Sequence, residues 1–491
     1  MNVKQTALPG SWSRSSFLLS GAAMLALTGA SNAPAGGAKV FYGMRLIDGT
    51  GAAPLDDAAL LVVDGRVAAF GPRTTLEIPS DATFIDLTGK TVIPALIDAH
   101  SHLGIIAGNT ISTDHYTPER VNGQLGTFAA YGVHAVQILG TDQDHIFDVR
   151  RTQGDAPVSQ ARVFTAYRGF GITGGQPPMS LGKFVYRPAT PEEARKQFAE
   201  FASKGPDVVK VWVDSNFGRW PTMSHEIVGA IVDEAHRRGL RVAAHVFFLD
   251  DVKWLIPAGV DMIGHSVRDK EIDDEALALM KSHGTIYIPT LTIDEARFIF
   301  ADRPAYMNDP FFVRAVPPDT LAWLRTDAYR DAINKLADTA LWRAAAVMSQ
   351  RNAGIVHKAG IPVAMGTDSG GAPERIVGYD SHKELELLVR NGFTPLEAIN
   401  SATAVSARAV GHGAKDLGSL EPGKRANFLV LDADPSKDIK NTRSISQVWY
   451  GGEQGPKWQS TALHEHDLGV AMIPSDEYFD PAKGHARSGC C

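Results

Sequence analysis

Six residues of this chain are of types that bind metals or move protons, and the segments that hold them read as β-strands. His100 and His102 stand in IDAHSH. Two imidazoles at i and i+2 on a strand point the same way, so both reach one metal ion. The pair alone is a weak signal. His464 and His466 in LHEHD repeat it in the C-terminal tail, where no strand precedes them, and read as solvated surface. Lys210 lies inside DVVKVWVD, where an amine is costly to bury unless paired or modified. The plain alternative is a head group that reaches solvent at the strand end. His245 ends RVAAHV and His265 ends DMIGHS; each has the ordinary alternative of a hydrogen-bonded core histidine. Asp368 ends IPVAMGTDSGG, where a turn or N-cap aspartate is the ordinary reading.

The elements that carry these residues repeat. From Thr91 to about Gly411, apolar strands alternate with helices: TVIPALID, GVHAVQIL, RVFTAY, DVVKVWV, RVAAHV, DMIGHS, TIYIPTL and IPVAMGTD. Thr117-Pro118, Thr190-Pro191 and Thr394-Pro395 mark helix starts, with Thr at N-cap and Pro at N1; Glu397 completes a capping box. This pattern predicts an α/β chain folded as a (β/α)8 TIM barrel over 91–411. A doubly wound sheet is the alternative, but it rarely supplies so many units. Residues 38–90 and 412–455 alternate in short runs broken by DG, TG and GP, and predict one small β-sandwich domain built from N- and C-terminal segments. The connection from Ile293 to about Asp319 is long and proline-broken, which places a pocket-shaping loop there, followed by a helical run to Lys358. The six residues fall at the C-terminal ends of strands 1, 4, 5, 6 and 8, and a barrel gathers those ends around one mouth. Four imidazoles, one carboxylate and one lysine converging there suit a two-metal hydrolytic site.

Composition narrows the class. The chain has 491 residues, 44% of them hydrophobic and 21% charged, which excludes a disordered chain or a coiled coil. A net charge of -7 gives no footprint for nucleic acid. The two cysteines, Cys490 and Cys491, are adjacent at the chain end and cannot staple a core. Residues 1–35 read as an export signal: Lys4 and Arg14, then the apolar run FLLSGAAMLALT, then small residues. Cleavage would take the charge from -7 to about -9 and leave a periplasmic or secreted protein with no membrane span. Residues 456–491 form a tail of little periodicity.

The constellation resembles the amidohydrolase superfamily in its binuclear branch with a bridging lysine, in the imidazolonepropionase-like and Xaa-Pro-dipeptidase-like groups. The resemblance rests on PALIDAHSH, the lysine of strand 4, the two separated histidines, GTDSGG, and the GSLEPGKRANFLVL return into β structure, where Asn427 stands for the usual Asp. It implies that Lys210 carries CO2 as a carbamate (N6-carboxylysine) and bridges two divalent metal ions. It also implies that His100, His102 and Asp368 hold one ion and that His245 and His265 hold the other. Zinc is the first choice for such N/O donors, with Mn, Fe or Co also fitting. The implied reaction is attack of a metal-activated hydroxide on a small amide or dipeptide substrate, with Asp368 shuttling the proton to the leaving nitrogen.

Further residues are candidates on weaker grounds. Tyr167 and Arg168, at the end of strand 3, could hold a substrate carbonyl or carboxylate. His382 follows strand 8 and could pack near the site. His134 faces the barrel mouth or its core, and Trp212 and Phe217 line an aromatic pocket or the core. Gly169–Gly174 spells GxGxxG, but GQPP follows, so no helix can begin there and the segment reads as a flexible loop over the mouth. Two other functions compete: an esterase, lactonase or phosphotriesterase on the same metals, and a non-catalytic barrel that only binds. Homo-oligomerisation is left open.

Overall fold

The computed structural model describes residues 37–153 and 158–455. The expected export segment and the 456–491 tail, with His464, His466, Cys490 and Cys491, lie outside the described residues.

N- and C-terminal segments build one eight-stranded sheet. Its strands are β1 (Lys39–Leu46), β2 (Leu55–Val63), β3 (Arg66–Pro72), β4 (Thr83–Asp86) and β5 (Thr91–Pro94) from the start of the chain. Phe428–Leu431, Ile445–Tyr450 and Glu453–Gln454 join from its end, with Ile93 opposite Leu429 in an antiparallel register. Alternation puts Phe41, Met44, Val92, Phe428 and Val430 in one apolar cluster with Trp449. The Phe41 ring meets Phe428 edge-on at 4.9 Å and Trp449 at 4.8 Å. Val40, Ala59 and Leu61 form a second cluster.

The stretch TVIPALID is two strands, where one was expected. β5 stays in the sheet, and β6 (Leu96–Ser101) opens the parallel ring. Pro94 offers no N–H to continue a ladder. Beyond it the chain switches partners: Ala95 N donates to Asn427 O and Leu96 N to Gly132 O, both at 2.9 Å. β6 pairs in parallel with β7 (Val133–Ile138), and β7 with β8 (Arg162–Thr165). A second parallel run holds β9 (Gly169–Phe170), β10 (Val185–Tyr186), β11 (Val209–Trp212), β12 (Val242–His245), β13 (Met262–Gly264) and β14 (Ile286–Ile288). Of the three C-terminal sheet strands, the first two are β15 (Phe428–Leu431) and β16 (Ile445–Tyr450).

The expected eighth strand is the main departure. IPVAMGTD is not a regular strand; it touches β14 through Val363, and Ser369 just after it touches β6. Hydrogen bonds still link β14 to β6 through this segment: Ala364 N to Tyr287 O and Ala99 N to Met365 O at 2.9 Å, and Thr367 N to His100 O at 3.1 Å. Two local features break the extended run. Gly366 lies so close to β6 that a Cβ there would stand 2.8 Å from His100 Cβ. Asp368 has φ 59°, the left-handed region that a strand excludes. The result is a TIM-barrel-like α/β domain joined to a sheet domain.

Helices cover the ring as their caps dictate. α1 (Pro118–Ala130), α2 (Ile146–Gln153) and α3 (Pro191–Ser203) follow β6, β7 and β10, and α4 (His225–His236), α5 (Leu249–Leu255) and α6 (Asp274–His283) follow β11, β12 and β13. Thr117, Thr190 and Thr394 cap as expected, the last in a capping box with Glu397. The long connection is helical where a loop was expected. It runs through α7 (Leu291–Ala296), α8 (Pro310–Ala315), α9 (Pro318–Leu324) and α10 (Asp327–Lys335) before α11 (Thr339–Lys358). Prolines at helix N1 positions, as at Pro310 after the Asp309 cap, start short helices rather than open turns. α12 (Tyr379–Arg390) follows the closing segment. No helix among the described residues is long and apolar enough to cross a membrane.

The GxGxxG segment is also corrected. Gly169 and Phe170 form the buried strand β9 rather than a flexible loop, and Phe170 pairs with Val211. Gly169 is required by close packing: a Cβ there would lie 2.2 Å from the Trp212 ring.

Candidate metal centre

β6 ends at Ser101, so His100 lies on its last turn of pleat and His102 just past it. The segment 362–369 is hydrogen-bonded to β6 and carries Asp368 alongside. The ligand atoms of His100, His102 and Asp368 lie within 4.8 Å of one another, and all three side chains are fully buried. Asp368 Oδ1 is 2.9 Å from His102 Nε2 and 3.3 Å from His100 Nε2. Its other oxygen accepts from the Arg375 guanidinium. The left-handed backbone of Asp368 is held by its N–H donating to His100 O at 2.6 Å. Strain of this kind concentrates at functional sites.

The remaining candidates arrive from the second parallel run. Lys210 of β11 is fully buried with Nζ 3.2 Å from His100 Nε2. His265, just past β13, stacks on His100 at 4.5 Å between ring centroids. His245, ending β12, meets His265 edge-on at 4.6 Å. All six sequence candidates therefore converge, although they come from five separate segments.

Outer partners fix the imidazoles. His102 Nδ1 lies 2.8 Å from Thr141 Oγ1, and His265 Nδ1 lies 2.5 Å from Thr290 Oγ1. His245 Nε2 donates to Asp214 Oδ2 at 3.0 Å. With Nε2 so engaged, His245 Nδ1 carries the lone pair, and this atom is buried without a hydrogen bond. A buried imidazole nitrogen of this kind, beside three N/O donors and an amine, fits a metal site, and the outer bonds match the way metal-binding histidines are oriented. Burial pushes the Asp214 carboxyl up, but the hydrogen bond from His245 and the nearby Arg268 guanidinium outweigh it and hold it below the usual carboxylate range. Arg268 makes a buried ion pair with Asp294 at 3.0 Å and donates to Val246 O at 2.8 Å, which pins the backbone next to His245.

Asp98 works one layer down. Its carboxylate accepts from His100 N at 3.1 Å, Thr367 N at 3.2 Å and the Thr367 hydroxyl at 2.6 Å. It thus ties the end of β6 to the segment bearing Asp368. Burial pushes its pKa up to about 6.

Other candidates fall elsewhere. The Tyr167 hydroxyl and Arg168 both bind Asp144, and Arg168 lies over the Tyr167 ring at 4.8 Å. Tyr167 O accepts from Asp142 N at 3.0 Å, one residue beyond the Thr141 that holds His102. His382 is fully buried, with Nε2 2.9 Å from Tyr131 O and Nδ1 3.0 Å from Thr442 Oγ1, so both nitrogens serve the core. His134 stacks on Tyr450 at 4.0 Å and accepts from the Asn427 side-chain amide at 2.8 Å. Asn427 Oδ1 accepts in turn from Gly451 N at 2.7 Å. An aspartate at 427 could not donate to that imidazole. Trp212 is core and shares its strand face with Lys210, whose Nζ is 5.5 Å from the ring. Phe217 packs on Phe247 at 4.8 Å and Trp342 at 5.5 Å.

Sequence reasoning missed Arg375, Thr141, Thr290, Asp214 and Asp98. Strand parity could have found two of them: Asp98 shares the parity of His100, and Asp214 that of Lys210. Nothing in the sequence marks Arg375, which reaches Asp368 across a loop.

Comparison with known proteins places this geometry among relatives. Residues 91–455 match the model of the amidohydrolase family. Ochratoxinase of Aspergillus niger is 27% identical over 469 residues, covering 85% of this chain and 87% of its own. Imidazolonepropionase of Geobacillus kaustophilus is 24% identical over 416 residues, covering 77% and 84%. Among solved structures, A. niger ochratoxinase superposes with a TM-score of 0.69 at 23% identity, covering 88% of this chain and 99% of that one. A Xaa-Pro dipeptidase with bound methionine gives 0.67 at 23%, covering 85% and 99%.

Proposed function

The chain belongs to the amidohydrolase family of metal-dependent hydrolases, and on that premise we propose that it cleaves an amide or peptide-like C–N bond in a dipeptide or N-acyl amino acid. The observation that carries this reading is the buried His100–His102–Asp368 group with the Lys210 amine beside it. The relatives' names, ochratoxinase and imidazolonepropionase, support a C–N bond as the target.

In this reading His100, His102 and Asp368 would hold one divalent ion, and His245 and His265 a second. Lys210, as its carbamate, would be a ligand to both, which gives a buried amine a reason to lose its positive charge. When bound, two such ions, zinc first, would supply a water of lowered pKa and polarise the scissile carbonyl. Asp368 takes the proton of the attacking water and delivers it to the leaving nitrogen, because an amide anion leaves poorly. Asp214 and Thr290 orient the second pair of imidazoles, and Asp98 keeps Asp368 in register with β6. Burial of all six side chains excludes bulk water from the proton path. Residues 1–35 support export to the periplasm or medium, which N-terminal sequencing of exported protein tests.

The test is metal content per chain by mass spectrometry, followed by hydrolysis assays on N-acyl amino acids and dipeptides, Pro-containing ones first. About two ions per chain with hydrolysis is the expected result. Two ions with cleavage of esters or phosphotriesters only would replace the amide reading. No ion, and no activity after Zn or Mn is added, would overturn it.

A further inference from the structure

Three residues with polar side-chain atoms stand at alternate positions of β11 and its continuation: Lys210, Trp212 and Asp214. Lys210 lies beside His100, and Asp214 orients His245. Trp212, between them, has no part in the reading so far. Its side chain is 1% exposed, and its indole Nε1 is buried without a hydrogen-bond partner. Buried N–H groups are nearly always paired, so this one calls for an acceptor. Two backbone positions are kept bare for the indole. A Cβ at Gly140 would stand 2.6 Å from Trp212 Cη2 and 3.1 Å from Lys210 Cγ. One at Gly169 would stand 2.6 Å from the same Cη2 and 3.1 Å from Lys210 Cβ. The lysine stem and the indole therefore pack as one unit against the same two glycines, with Lys210 Nζ 5.5 Å from the ring. Phenylalanine would bring an aromatic ring there with no N–H to satisfy.

A substrate is a poor acceptor for this N–H, because Trp212 is closed off from solvent. Lys210 becomes an acceptor once its amine carries CO2. In that step the lysine nitrogen bonds to the carbon of CO2, one C–O π pair moves onto oxygen, and one proton leaves the nitrogen for solvent. The new oxygens are anionic, and a hydrogen bond to an ionised acceptor is roughly twice as strong as a neutral one. We propose that Trp212 is a positioning residue whose indole N–H donates to a carbamate oxygen of Lys210. A donor that engages only the modified lysine shifts the equilibrium towards it and away from the free amine. The same bond fixes the plane of the carbamate. The proposal rests on the carbamate reading of Lys210 given above.

The experiment loads the full-length protein with zinc across a series of 13C-bicarbonate concentrations. It reads the carbamate resonance by 13C NMR, with metal content per chain alongside. The wild type is expected to show a carbamate resonance that Lys210→Ala removes. In Trp212→Phe the bicarbonate needed to half-fill Lys210 rises about tenfold or more, the loss of one charge-assisted bond. At low bicarbonate that variant loses metal together with the resonance, and high bicarbonate restores both, a rescue that a merely structural role would not give. A second variant carries 3-benzothienylalanine at position 212, which keeps the two fused rings and has sulfur in place of the N–H. It should behave as Trp212→Phe does, and melting temperatures check that both fold. Half-filling at the wild-type concentration in both variants would overturn the proposal and leave the carbamate standing. The same result with a raised KM would give the N–H to the substrate instead. A defect in Trp212→Phe that 3-benzothienylalanine repairs would reduce the indole to packing and likewise overturn it. Absence of the resonance in the wild type would remove the carbamate reading itself, and this proposal with it.

Discussion

The two halves of the candidate metal centre are built on different plans. His100, His102 and Asp368 close on one another: Asp368 Oδ1 touches both imidazoles and Oδ2 holds Arg375. His245 and His265 meet ring to ring, and each is turned by an outer partner, Asp214 or Thr290. The first half is drawn together by its own carboxylate. The second contains a buried nitrogen, His245 Nδ1, with no hydrogen bond, a situation that costs about 1–3 kcal/mol when nothing else is bound. The halves should respond differently to the same kind of damage.

The largest effect is expected at the point the first half cannot replace. Asp368→Asn should lower the hydrolysis rate about 10²–10⁴-fold while metal content stays close to wild type. An unchanged rate removes Asp368 from proton transfer. Next is Lys210→Ala, in which metal content should fall from about two ions towards one; two ions retained would contradict the bridge. The comparison itself is sharpened by Asp214→Asn and Thr290→Val. Each should weaken one ion about 10–100-fold and spare the other, as chelator titration would read. Equal weakening of both ions would sink the idea of two separately built halves.

The smallest effect lies outside the site. Burial lowers the His382 pKa to about 4. Its neutral form is the one the native core accepts, while the unfolded chain takes up a proton near its ordinary value. The contribution of His382 is therefore present at neutral pH and is lost as pH falls from about 6.5 through 4. His382→Gln should cost about 1–3 kcal/mol at pH 7, and the gap to wild type should narrow at pH 5 in urea unfolding. Glu384, two residues on, should act in the opposite direction: burial raises its pKa to about 8, so its contribution is lost as pH rises through that value.

Where residue type and strand parity were enough, the sequence was readable. His100 and His102 share a face because they are two apart on a strand, and Lys210 was notable because a lysine in an apolar strand demands an explanation. Caps such as Thr394 with Glu397 were readable because the chemistry is local. Readability failed where a neighbour far along the chain decided the outcome. The eighth strand dissolved because Gly366 sits against His100 and Asp368 adopts a left-handed backbone, neither of which appears in an apolar run. His382 looked like a site residue by its position after strand 8. Thr442 and Tyr131 O, remote in sequence, made it part of the core. Asn427 departed from the family pattern for a reason visible only beside His134.

The sheet shared by the two ends of the chain bears on how the protein is made. β5 pairs with β15, residue Ile93 with Leu429, so the ladder cannot form until the ribosome has passed the whole barrel. At ordinary elongation rates that interval is roughly 15–70 s. During it, β1 to β5 hold an unpaired strand edge next to nascent chain, and such an edge invites pairing with the wrong partner. Slow synthesis or a crowded ribosome should therefore damage this protein first at its opening ninety residues, far from the chemistry they later support.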